Sequence, residues 1–308
     1  MTGRSDCITD APLVELATVW FVLIDSAYAT LEHHYGRWRQ RGPVPDFSDS
    51  EVITVALLID TVFHGHEALG LSRLRADHPT LFPRLPQPGH FNTRRTCLGP
   101  LIEQLRRLLA THYGLLDPQV PDRLVDSAPI PICTYQRAKQ NRTLIGAEYF
   151  GRMHSRSATF YGLRLHLSVT PQQVVDTWLL APASVHDSQV LPALLAGEHD
   201  RVLVGDGAYL VPVLAPVLRA NHNIVLVTPP QRTTRPPWPR ALRRWVVRLR
   251  RRIETALSVV SVVWGLQAIG ARSLPGLVCR ISTRLLAYTL LFVTDQLLAG
   301  RLTVETPN

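Results

Sequence analysis

Leu163, Leu165, Leu167 and Val169 are apolar, and Arg164, His166 and Ser168 between them are polar. An unbroken two-residue period is the mark of a strand with one face on a core. This stretch lies near the middle of a 308-residue chain whose first 115 or so residues keep a different period. There Leu13, Leu16, Val19 and Leu23 fall at helical spacing. Ser48-Asp49-Ser50-Glu51 reads as a capping box leading into the apolar run Val52 to Leu58. A short helix is expected over Leu69 to Asp77, then a proline-rich connector from Pro79 to Pro88, then one helix from Gly89 through Leu108. The change of period divides the chain into an α-helical part, 1–118, and a sheet-containing part, 119–308.

The second part is expected to begin with a short strand, Leu124-Val125, ending in Asp126. The alternating strand follows, then a turn at Pro171-Gln172-Gln173 and a return strand from Val174 to Leu180. A helix over Ser188 to Leu195 precedes the buried strand Val202-Leu203-Val204, which ends in Asp206. A helix over Val211 to Ala220, a strand from Ile224 to Val227 and a long helix from about Pro239 complete the series. Leu242, Trp245, Leu249, Ile253, Leu257 and Val260 form the apolar stripe of that helix. Three strands in a meander followed by crossover strands is the order of a ribonuclease H-like α/β fold, a mixed five-stranded sheet flanked by helices.

Hydrophobic content of 46% supports a substantial core and excludes a disordered chain. Net charge is +9, carried almost entirely by arginine, with Lys139 the sole lysine. Such a balance points to a polyanionic partner. The apolar stretches Thr255 to Ile269 and Leu285 to Leu298 fall short of about 18 residues, so a membrane is not the expected partner. Cys7, Cys97, Cys133 and Cys279 form no paired motif, which fits a reducing cytoplasm and gives neither a zinc site nor a disulfide framework.

Carboxylates that follow neighbouring strands converge at one end of a sheet, where open α/β folds place ligands. Asp126 and Asp206 qualify, and Glu254 on the long helix extends toward the same end. Three uncompensated acids repel, and Mg²⁺ relieves that repulsion with oxygen ligands. Each acid has a plainer reading. An Asp after a strand also serves as a turn residue or helix cap, and Glu254 also pairs with Arg250 or Arg251. Spacing alone leaves both open.

The words around these acids carry a resemblance. They are Phe47-Ser48-Asp49-Ser50-Glu51-Val52-Ile53-Thr54, Val125-Asp126-Ser127-Ala128-Pro129-Ile130-Pro131-Ile132-Cys133 and Tyr161-Gly162-Leu163-Arg164-Leu165-His166-Leu167. They continue with Pro182-Ala183-Ser184-Val185-His186-Asp187, Gly205-Asp206-Gly207-Ala208-Tyr209, Arg250-Arg251-Arg252-Ile253-Glu254-Thr255 and Ala271-Arg272-Ser273-Leu274. In this order the chain resembles the DDE transposases of bacterial insertion sequences, most closely insertion-sequence family nine-eight-two. The resemblance implies an enzyme that cleaves DNA at the ends of a mobile element and joins them to target DNA. It implies two Mg²⁺ or Mn²⁺ ions held by the catalytic acids Asp126, Asp206 and Glu254. It also implies a homodimer or larger assembly on DNA, working at the bacterial nucleoid. Gly207 departs from the pattern, because the family usually has Lys directly after the second acid; in an active enzyme a nearby Arg would supply that charge.

Pro229 to Arg252 contains nine arginines and no acid, and Arg243, Arg244, Arg250 and Arg251 are its candidate DNA contacts. Arg137, Lys139, Arg142, Arg152 and Arg156 form a second basic stretch. A helix-turn-helix opening at Gly89 would present Arg94 and Arg95 to DNA. His64 and His66 are expected as exposed loop residues, and Asp187 or Ser188 as a helix cap near the site. Two competing functions share these features: a catalytically inactive DNA-binding descendant of a transposase, and a metal-dependent nuclease without strand transfer.

Overall fold

The computed structural model describes residues 13–39, 42–117, 119–153, 158–210, 212–229, 238–266, 269–271 and 273–300. Arg156, Arg232, Arg235 and Arg272 lie outside them. The chain forms two compact units, one of residues 1–115 with 263–265 and 269–308, the other of 116–262 with 266–268.

The first unit is helical: α1 (Leu13–Tyr35), α2 (Asp49–Thr61), α3 (Glu67–Asp77), α4 (Pro88–Cys97), α5 (Gly99–His112) and, from the far end of the chain, α9 (Leu274–Leu298). The capping box forms at α2. Ser48 Oγ accepts from the Glu51 amide at 3.1 Å, and the Glu51 carboxylate accepts from the Ser48 amide at 2.5 Å. The single helix expected over Gly89 to Leu108 is two helices, broken at Leu98-Gly99-Pro100. A proline disfavours helical backbone in the residue before it, and Gly99 lets Cys279 of α9 approach so closely that an added Cβ would lie 3.3 Å from its Cα. α9 and α1 are each long and apolar enough to cross a membrane. α9 is mostly buried in this unit, packed on α5, α2 and α4, and so is its core helix. It therefore stands with the N-terminal helices and not, as a division at residue 118 would have it, with the sheet.

Charge is buried here as well. Arg95 of α4 ion-pairs with Asp60 of α2, the two side chains 2% and 0% exposed, and with Glu67 at 3.5 Å. Arg280 reaches Glu67 at 3.2 Å. Arg94 donates to Asp49 at 2.5 Å and to the Phe47 carbonyl at 2.6 Å. Arg94 and Arg95, both expected to contact DNA, are engaged as cross-links between α4 and α2, where the carboxylates of Asp49 and Asp60 offset the cost of taking a guanidinium from water.

The second unit holds a mixed sheet: β1 (Asp122–Cys133), β2 (Phe150–Met153), β3 (Ala158–Val169), β4 (Val175–Pro182), β5 (Val202–Val204) and β6 (Val225–Val227). β3 is its spine. β1 pairs antiparallel along one edge of it, while β2 and β4 share the other edge end to end. β5 adds parallel to β1 and β6 parallel to β5. Six strands thus make a sheet five positions wide. Three helices complete the unit: α6 (Asp187–Leu194), α7 (Leu214–His222) and α8 (Arg240–Ser258). Val125, Leu203 and Tyr209 pack with Leu191 and Leu194 of α6 and Leu218 of α7. α8 packs on β1 and β5 through Val246, Leu249, Ile253, Ala256 and Leu257, and its first stripe residues, Leu242 and Trp245, remain exposed.

β1 does not stop at Asp126 as expected but continues through Pro129 and Pro131 to Cys133. The parallel pairing with β5 ends at Leu124, which leaves that edge of β1 free. A proline whose missing N–H points to a free edge forfeits no ladder bond.

Breaking a buried pair strands a charge, at a cost of about 3–5 kcal/mol. Arg95→Met is expected to lose that much in chemical denaturation. Arg73→Ala, which removes an exposed pair with Asp77 at 3.6 Å, is expected to lose less than about 1 kcal/mol.

Candidate functional site

The sheet register brings the two aspartates together. Leu124 of β1 pairs with Val204 of β5, and the strands are parallel. Asp126 and Asp206 each lie two residues beyond that pair, so an equal advance along neighbouring strands carries both to the same end of the sheet. Both line one cleft of about 690 Å³ together with Ser127, Asp187, Arg152 and Arg164. The aromatic rings of Tyr135 and Phe150 also line it, 4.9 Å apart by ring centre.

Local bonds hold each acid. Asp126 Oδ1 accepts from the Ser127 amide at 2.8 Å. Asp206 Oδ1 accepts from the Ala208 amide at 2.8 Å and caps the turn Gly207–Tyr209. The capping role that sequence left open for Asp206 is therefore real, and it leaves Asp206 lining the cleft all the same.

Burial pushes the Asp126 carboxyl up to about 7, with the neighbouring charges of Asp206 and Asp187 adding to the rise. The Ser127 amide and Arg250 act against it. Among the described residues no three of His, Cys, Asp and Glu converge tightly enough to enclose a metal ion. A pair of aspartates at an open cleft still suits Mg²⁺, which binds through one or two carboxylates and keeps its remaining positions for water and phosphate.

Glu254 stands apart from this lining. Its side chain is 55% exposed on α8 and pairs weakly with Arg250 at 3.8 Å. Arg250 itself is half-buried and within electrostatic reach of Asp126. It supplies a positive charge near the first acid in the absence of a Lys at Gly207. Nothing lies within 4 Å of a Cβ built at Gly207, so the position has room for a side chain.

Asp187 opens α6, and the cap itself is His186, whose ring nitrogen accepts from the Ser188 amide at 3.3 Å. Ser127 Oγ donates to Asp187 Oδ2 at 3.1 Å. A carboxylate in a segment otherwise rich in capping residues gave no sign of this contact, which spans sixty positions of sequence.

The basic stretches divide by exposure. Arg240, Arg243, Arg244, Arg248 and Arg251 line one open groove on α8, at the three- and four-residue spacing of a single helix face. Arg252 turns away and donates to the Pro171 carbonyl at 2.8 Å. Arg137, Lys139 and Arg142 are exposed on and just after the turn Tyr135–Gln140. His64 and His66 are exposed, as expected.

The Asp126 carboxyl prefers its neutral form, so without metal its ionisation works against folding. That cost is absent below about pH 4, grows as pH rises and is complete above about pH 7. Asp126→Asn is therefore expected to raise the melting temperature of the metal-free protein at pH 8 by several degrees, at ~2–4 °C per kcal/mol. At pH 4 it should change little. Equal melting temperatures at pH 8 would count against a strained carboxylate.

Residues 121–290, more than half of the chain, match the family model described as Transposase DDE domain. No curated protein and no solved structure matches the chain. With two aspartates converging at the end of a mixed sheet inside the matched segment, the chain belongs to the transposase DDE-domain family.

Proposed function

We propose that this transposase cleaves DNA at the ends of an insertion sequence and transfers the freed strands into target DNA, using Asp126, Asp206 and Glu254. The observation that carries the reading is the shared two-residue advance of Asp126 and Asp206 beyond the Leu124–Val204 pair, which sets both acids in one cleft. Glu254 joins them on weaker support. Alternation along β1 turns Asp126 to the face opposite Val125, α8 packs against β1, and Arg250, one helical turn before Glu254, reaches Asp126 electrostatically. A rotamer change of an exposed Glu is inexpensive.

Asp126 and Asp206 would hold the divalent ions. When bound, such ions stabilise the attacking and leaving oxygens of a phosphodiester displacement. The chain's own groups do the rest. Arg152 and Arg164 line the cleft and suit the scissile phosphate. The arginine face of α8 and the exposed Arg137, Lys139 and Arg142 suit the DNA backbone. Pairing two element ends calls for a homodimer or larger assembly, acting on DNA in the cytoplasm. Whether the helical unit reads the element ends turns on surfaces other than Arg94 and Arg95, which are engaged internally.

DNA carrying the element's own terminal repeats, incubated with Mg²⁺, tests this. Wild type is expected to nick at the repeat ends and join them to a target, and Asp126→Ala, Asp206→Ala and Glu254→Gln are expected to lose at least about a hundredfold in rate. Binding without cleavage by wild type would favour an inactive DNA-binding descendant. Cleavage without joining would favour a nuclease, and full activity of Glu254→Gln would remove that residue from the site. Replacing Arg243, Arg244, Arg248 and Arg251 together by Gln is expected to weaken DNA binding and to lower its salt dependence by up to about four units of log–log slope.

A further inference from the structure

Two side-chain contacts at the cleft are not accounted for by the DDE acids. His166 of β3 pairs across the sheet with Ser127 of β1. Its Nδ1 lies 3.2 Å from the Tyr209 hydroxyl. Separately, Ser127 Oγ of β1 donates to Asp187 Oδ2 at the start of α6, at 3.1 Å. His166 and Tyr209 are fully buried.

Both contacts sit beside the acids. Ser127 directly follows Asp126, and its amide donates to Asp126 Oδ1 at 2.8 Å. With its hydroxyl held by Asp187, Ser127 is tied at both its side chain and its amide. Asp187 thereby joins α6 to β1 at the residue next to Asp126. Tyr209 comes three residues after Asp206 in the turn that Asp206 caps, and its contact with His166 ties that turn to β3.

We propose that Asp187 is a positioning residue. As the acceptor for the Ser127 hydroxyl, it holds the backbone beside Asp126 so that the carboxylates of Asp126 and Asp206 receive a divalent cation at the required separation. This rests on the reading of the cleft as a metal site. Ligand-orienting partners of this kind, when removed, usually weaken metal binding by about 10–100-fold.

Mn²⁺ titration of the full-length protein, followed by the electron-spin signal of the free ion, tests both levels. Wild type is expected to bind, and Asp126→Ala to lose binding. Asp187→Ala and Ser127→Ala should each bind about 10–100-fold more weakly. Asp187→Asn keeps an acceptor oxygen for Ser127 and should stay within about threefold of wild type, a rescue that a ligand role or a general structural role would not give. Wild-type affinity in Asp187→Ala and Ser127→Ala would overturn the positioning role. So would an Asp187→Asn protein as weak as Asp187→Ala, which would make Asp187 a ligand. If wild type and Asp126→Ala bind Mn²⁺ alike, the metal-site reading fails first and takes this inference with it.

Discussion

β3 is paired along its whole length, with β1 on one edge and β2 and β4 on the other. That pairing sets where β1 runs, and β1 in turn sets the register of β5 through Leu124 and Val204. The convergence of Asp126 and Asp206 follows from it. A one-residue slip would turn Asp126 into the space occupied by Val125 and Ser127. Val125 packs against α6 and α7, so such a slip would bury a carboxylate in an apolar cluster and expose a valine. The apolar packing of the sheet thus enforces the geometry of the acids.

Charge is distributed by the same logic. Where arginine enters a core, it is met by a carboxylate: Arg95 by Asp60 and Glu67, and Arg123 by Asp176 at 2.5 Å. Where carboxylates gather, as Asp126, Asp187 and Asp206 do in the cleft, burial first and then repulsion push a proton onto Asp126. The arginines on the exposed face of α8 are a different matter. They gather at one groove without acids among its lining residues, the arrangement expected of a surface that meets a polyanion.

Much of this was present in the order of residues. The alternation from Leu163 to Val169 is β3, the capping box at Ser48 forms as read, and the hairpin turn falls at Pro171-Gln172-Gln173, where Gln173 takes a positive φ of 73°. These are local signals, determined by a period or by a few adjacent side chains, and they survive folding because nothing distant opposes them. The two aspartates were legible for the same reason, each marked by the apolar strand before it.

What the tertiary structure decided involves partners far apart in sequence. Arg94 and Arg95 look like the start of a DNA-reading helix, but the carboxylates of Asp49 and Asp60 claim them across more than thirty positions. Leu274–Leu298 follows the sheet in sequence, yet it fills the core of the N-terminal helices because its apolar surface finds α2, α4 and α5 there. β1 runs through two prolines because β5 leaves its edge free. Asp187 reads as a helix-capping residue until Ser127 is set beside it, sixty residues away. Sequence by itself determined which segments alternate, which helices begin where, and that Asp126 and Asp206 each follow a short apolar run. Which charges face each other, and so which of them remain exposed, was decided only when the strands came into register and the helices packed.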